Sequence, residues 1–80
     1  MSKQQKLLEK AKNHPNSLSF AEFQTLMKRF EWVMDHQTGS HQIWYSLSGN
    51  RLSIQNANGK AKGYQVKQFL QIHKEENGDA

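Results

Sequence analysis

Hydrophobic and polar positions change their period several times along this chain. Phe23, Leu26, Met27 and Phe30 recur at i, i+3, i+4 and i+7, the spacing that lines one face of a helix. Ser19-Phe20-Ala21-Glu22 stands directly before them. A serine followed three residues later by glutamate is a capping box. The hydroxyl accepts a backbone N–H and the carboxylate reaches back to the cap residue's own N–H. Leu18 and Phe23 occupy the apolar staple positions on either side. The pattern predicts a helix over 20–30.

The period then shortens to two. Trp32 and Met34 alternate with Val33 and Asp35, which predicts a strand over 32–37. Thr38-Gly39-Ser40 reads as a turn, with glycine supplying a positive φ. A second strand over 41–47 carries Ile43, Trp44 and Tyr45 in succession, so alternation does not assign its buried face. Ser48-Gly49-Asn50 is a second turn. Leu52 and Ile54 then alternate with Arg51, Ser53 and Gln55 in a third strand with a polar outer face. Residues 56–62 read as a loop of asparagine, glycine and lysine. Helical spacing returns at Val66, Phe69, Leu70 and His73, which predicts a last helix from Gly63 or Tyr64 to Glu76. Upstream, Leu7, Leu8 and Ala11 form a narrow apolar stripe over 2–12. So short a helix is marginal alone and either docks or frays. Asn13-His14-Pro15-Asn16 breaks it.

These elements predict an α+β fold of order α-β-β-β-α. Three antiparallel strands form a sheet with two helices on one face and the other face free. A basic helical arm (1–16) precedes the domain (17–76), and a frayed tail (77–80) follows it. The architecture resembles the double-stranded-RNA-binding domain. A chain of 80 residues builds a modest core with no deep enclosed cofactor cavity. No apolar run approaches the roughly 18 residues of a membrane span, the N-terminus is too polar for a secretory signal, and cysteine is absent. The expectation is a cytoplasmic protein without disulfides or thiolate metal sites.

Charge adds a partner class. The net charge is +4, and it is uneven. Lys3, Lys6, Lys10 and Lys12 oppose only Glu9 near the N-terminus, while 38–63 holds Arg51, Lys60 and Lys62 with no acid at all. That pattern suits a polyanion such as nucleic acid. His41 lies in the same basic stretch, at the first position of a strand just after a turn. Regular backbone would hold it while its ring faces outward, and histidine titrates near neutral pH, as a general base or acid must. Ser40 and Gly39 read as turn residues rather than chemistry. His36 flanks the same hairpin as His41, yet no third ligand has metal-binding spacing. Adjacent strand residues point to opposite sides, so either Trp44 or Tyr45 faces away from the helices. An aromatic there, assigned as Trp44, would stack on an unpaired base.

Several of these segments together resemble the HicA family of toxins from bacterial toxin–antitoxin pairs. They are Ser19-Phe20-Ala21-Glu22-Phe23, Phe30-Glu31-Trp32, Gly39-Ser40-His41 with Trp44 and Tyr45, Leu52-Ser53-Ile54, the Gly59-Lys60 loop, and Gly63 entering a helix with Val66, Lys67 and Leu70. The resemblance spans 17–73. It implies a small endoribonuclease that cuts messenger RNA on a double-stranded-RNA-binding-like fold and is silenced by a HicB antitoxin. It also implies that His41 is catalytic, and it favours Lys60 for phosphate contact. Many members carry a proline and a further histidine just after the third strand; this chain reads Gln55-Asn56-Ala57-Asn58 instead.

RNA brings its own nucleophile, so one histidine that deprotonates the 2′-hydroxyl can begin cleavage without metal or cofactor. Arg51, Lys60 and Lys62 are the cations available to the phosphate. The alternatives are a module that grips RNA without chemistry, and an interaction domain whose open sheet face docks a protein.

Overall fold

The computed structural model describes residues 3–78. Helix α1 (Lys3–Asn13) leads through a 3-10 turn (Pro15–Ser17) to α2 (Phe20–Arg29). Strands β1 (Val33–Thr38), β2 (His41–Tyr45), β3 (Arg51–Ala57) and β4 (Lys60–Ala61) follow, and α3 (Gly63–Asn77) ends the fold. The expected helix start at Ser2 and the tail residues Asp79 and Ala80 lie outside the described residues.

The start of α2 is built as its sequence dictates. The Glu22 N–H donates to Ser19 Oγ at 3.0 Å, and the Ser19 N–H donates to Glu22 Oε1 at 3.0 Å. The same carboxylate receives Lys10 Nζ from α1 at 3.0 Å. The Ser19 backbone N–H first, and then Lys10, hold the Glu22 carboxyl below its ordinary pKa. One side chain therefore caps α2 and ties α1 to it. Docking rather than fraying is the outcome for α1. Ala11 is fully buried, and Leu7 and Leu8 pack against the core.

At its other end α2 stops in a Schellman motif. The Glu31 N–H donates to the Lys28 carbonyl at 3.0 Å and the Trp32 N–H to the Met27 carbonyl at 3.0 Å. The motif needs a left-handed residue, and Glu31 takes that role at φ 67°, where glycine is usual. The reversal delivers Trp32 into the core at the foot of β1.

The sheet is a four-stranded antiparallel meander in the order β1-β2-β3-β4. Thr38 pairs with His41, leaving Gly39-Ser40 as the whole loop of the first hairpin. Gly39 has φ 61° and Ser40 does not take a positive φ, and positive φ at the first loop position alone marks a type II′ turn. A bulge at Asp35 shifts the β1 register between Met34 and His36. The expectation of three strands is corrected to four. Residues read as loop form a second tight hairpin, in which Ala57 pairs with Lys60 across Asn58-Gly59. Both loop residues take positive φ, 55° and 86°, as a type I′ turn requires.

One face of the sheet carries Trp44, Leu52 and Ile54, packed in a single cluster with Phe23, Leu26 and Met27 of α2 and Val66 and Phe69 of α3. Phe69 sits among aromatic neighbours, with ring centroids 5.9 Å from Phe23, 5.7 Å from Trp32 and 5.8 Å from His73. Among the described residues no helix is long and apolar enough to cross a membrane.

Two expectations about stability follow from this geometry. Glu31→Gly removes the Cβ penalty of the left-handed cap, about 1–2 kcal/mol, against an unfolded-state entropy loss of roughly 0.5–1 kcal/mol. The variant should unfold at a higher urea midpoint than the wild type. His73, stacked on Phe69 and 4.5 Å from the Phe30 ring centroid, has its pKa lowered. Burial is the main cause and the Lys12 ammonium the second, with Glu76 opposing. The unfolded chain then takes up a proton that the folded chain resists. The His73 contribution is complete above pH ~6.5 and is lost as pH falls from there toward the folded pKa. Urea midpoints at pH 7.5 and 5.5 should therefore differ less in His73→Phe than in the wild type.

Candidate active site

Alternation along β2 places His41, Ile43 and Tyr45 on the sheet face opposite the core. Pairing with β3 brings Gln55, Ser53 and Arg51 beside them. His41 is exposed, and among the described residues nothing donates to or accepts from its imidazole. It lines a groove of about 530 Å³ between β3 and α3, shared with Arg51, Ser53, Tyr64, Gln68 and Gln71. The volume falls in the range that holds small ligands.

Behind His41, on the core side, a chain of amides braces the hairpin. Gln42 is 9 % exposed. Its Oε1 accepts from Trp44 Nε1 at 3.0 Å and from Gln24 Nε2 at 3.0 Å. Its Nε2 donates to Gln37 Oε1 at 3.1 Å, and Gln37 Nε2 donates to the Gly39 carbonyl at 3.0 Å. The turn that presents His41 is thus tied through two glutamines to the core tryptophan and to α2.

On the opposite wall, α3 is tied to the sheet by Gln65. This residue is only 3 % exposed, and its Oε1 accepts the Gln55 N–H of β3 at 2.8 Å. Its Nε2 donates to the Tyr64 hydroxyl at 3.2 Å. A third tie fixes the loop between β2 and β3, where Ser46 Oγ and Asn50 Nδ2 both donate to Glu76 Oε2 near the end of α3.

The residues expected to act together are only partly brought together. His41 and Arg51 share the groove. Gly39 and Ser40 form the turn, as expected. Lys60 stands on β4 and Lys62 at the N-cap of α3, and neither lines the groove. Trp44 as a base-stacking residue is overturned. It is 1 % exposed, because its place in the register faces Leu52 and the helices. Tyr45, 37 % exposed, takes the open face instead. His36 pairs with Ile43 rather than His41, and its Nδ1 contacts the Asp35 carboxylate at 2.6 Å. Among the described residues no group of three or more His, Asp or Glu side chains is placed to hold a metal ion.

Sequence reasoning passed over Gln42, Gln65 and Tyr64. For Tyr64 a signal existed: it precedes the apolar stripe of α3 by two positions and so falls off the core face. The glutamines carried none, since a buried and a solvated glutamine look alike in a polarity pattern. Comparison of the chain with known protein families, with curated proteins and with solved structures finds no match.

The brace behind His41 has a measurable worth. Gln42→Met keeps the bulk but leaves the Trp44 indole N–H unpartnered in the core, at a cost of about 1–3 kcal/mol. Chemical denaturation should show that loss, whereas Gln68→Met on the exposed wall of α3 should shift the midpoint by less than about 0.5 kcal/mol.

Proposed function

We propose that this chain is an endoribonuclease of the HicA toxin kind, in which His41 acts as the general base. The observation that carries the reading is the exposed His41, without a partner among the described residues, lining a groove that also holds Arg51. The order α2, β1, β2, β3, α3 supports it as a double-stranded-RNA-binding-like arrangement, here extended by α1 and by β4.

The chemistry asks little of the protein. A His41 ring nitrogen removes the 2′-hydroxyl proton, and the 2′-oxygen attacks the adjacent phosphorus. Arg51 steadies charge on the phosphoryl oxygens as it builds. The 5′-oxygen departs, leaving a 2′,3′-cyclic phosphate and a 5′-hydroxyl end. Neither a metal nor a cofactor enters these steps. Lys60, exposed on β4, and Lys62, half-buried at the N-cap of α3, are cations outside the groove that suit flanking phosphates. Tyr45 offers the exposed ring for an unpaired base. The antitoxin partner has a candidate footing in edge strand β1, all six of whose residues are exposed, Val33 and Met34 among them, and in exposed Leu47. A partner there would also reach the Gly39-Ser40 turn.

The test compares wild type and His41→Ala on end-labelled RNA in the presence of a chelator. His41→Ala should lower cleavage about 10²–10⁴-fold with an unchanged urea midpoint, and the wild-type products should end in a cyclic phosphate. Equal cleavage by the two proteins would remove His41 from the mechanism. Retention of RNA by both without any cleavage, abolished by salt, would favour a binding module instead.

A further inference from the structure

A cleavage site with one base lacks a source for the proton that the departing 5′-oxygen needs. Resting on the ribonuclease reading, we propose that the Tyr64 hydroxyl is the general acid of the reaction.

Tyr64 and His41 line the same groove, one from α3 and one from β2. Tyr64 is 57 % exposed, yet its hydroxyl is held by a side chain that is almost wholly buried. The direction of that bond is fixed. Gln65 receives the Gln55 N–H, and only the amide oxygen can accept it. The amide nitrogen therefore faces Tyr64 and donates to the phenol oxygen. With its oxygen acting as acceptor, the phenol keeps its own proton for another partner. Among the described residues no acceptor takes it, so it is available to the groove.

Elimination points the same way. Ser53, Gln68 and Gln71 also line the groove, but hydroxyl and amide groups of that kind are weak acids. A guanidinium does not act as a proton donor near neutral pH, which leaves Arg51 to serve the phosphoryl charge. His36 is engaged by Asp35 and His73 by Phe30 and Phe69, and neither lines the groove. A phenol keeps its proton at neutral pH and gives it up readily to an alkoxide.

The step balances. The 2′-hydroxyl proton passes to His41, the bond from the 2′-oxygen to phosphorus forms, and the bond from phosphorus to the 5′-oxygen breaks. The 5′-oxygen takes the Tyr64 proton as it leaves. The phenolate then recovers a proton from water or from the His41 imidazolium. No oxidant, reductant or second substrate is required.

The test uses Tyr64→Phe, which keeps the ring and removes only the hydroxyl, with His41→Ala and wild type alongside. Two RNAs are compared, one with ordinary linkages and one with sulfur in place of the bridging 5′-oxygen at a single site. Sulfur leaves as a thiolate and needs no proton. Tyr64→Phe should be about 10²–10⁴-fold slow on the ordinary RNA and match the wild type on the sulfur-substituted one. His41→Ala should be slow on both. If Tyr64→Phe cuts ordinary RNA at the wild-type rate, or is slowed equally on both substrates, the acid assignment is overturned while the base assignment stands. If the wild type cuts neither RNA, the ribonuclease reading falls and takes the acid with it.

Discussion

The contact on which both the fold and the groove depend is the hydrogen bond from the Gln55 N–H to Gln65 Oε1. Strand β3 is paired with β2 along one edge, but β4 covers only Asn56 and Ala57 on the other. The rest of that edge faces α3. Apolar packing through Val66 and Phe69 brings the helix onto the sheet, but dispersion and the hydrophobic effect are non-directional and do not fix its position along the strand. One amide oxygen on one backbone N–H does. The net gain of such a bond is only about 0.5–1.5 kcal/mol, whereas leaving a buried partner unmade costs about 1–3 kcal/mol. That asymmetry is what gives the contact its power to select one register.

A second buried glutamine does the same work on the other wall. Gln42 joins the Trp44 indole, Gln24 of α2 and, through Gln37, the carbonyl of Gly39. Among the described residues no buried side-chain nitrogen or oxygen lacks a partner, so both amide networks are closed. A small core gives up apolar volume to hold such groups, and here each stands directly behind an exposed residue of the groove. Gln42 lies behind the hairpin of His41 and Gln65 behind Tyr64. Rigid support behind an exposed side chain is what a site needs when its position must be kept to a fraction of an ångström.

How much of this was legible depended on whether the chemistry left a periodic trace. The Ser19–Glu22 box and the Phe23, Leu26, Met27 stripe predicted α2 to within a residue at its end, because capping and amphipathicity are local. The Gly39 turn was equally readable. The face of β2 was not. Ile43 is buried on the face opposite the core while Trp44 is buried on the core side, so two adjacent apolar residues are both internal and the alternation disappears. That is why Trp44 was misplaced. Strand β4 was missed for a different reason: its two residues are too few to show a period. The dipeptide Asn58-Gly59, which favours a type I′ turn on φ alone, was the available signal.

An open groove on so small a domain is a constraint on the kind of chemistry it can support. The groove is open rather than enclosed, so water reaches the groups that line it and weakens the electrostatic effects they can exert. What remains is placement of a few polar groups on a firm surface. Under the proposed reading that is sufficient, because RNA supplies the nucleophile within the same strand and the attack is already intramolecular. A positioned base adds about 10²–10⁴-fold, or roughly 3–5 kcal/mol of barrier. On that reading, buried glutamines behind exposed His41 and Tyr64 suit a modest core: the groups proposed to meet substrate stay wet, and their geometry is set from behind by closed hydrogen-bond networks.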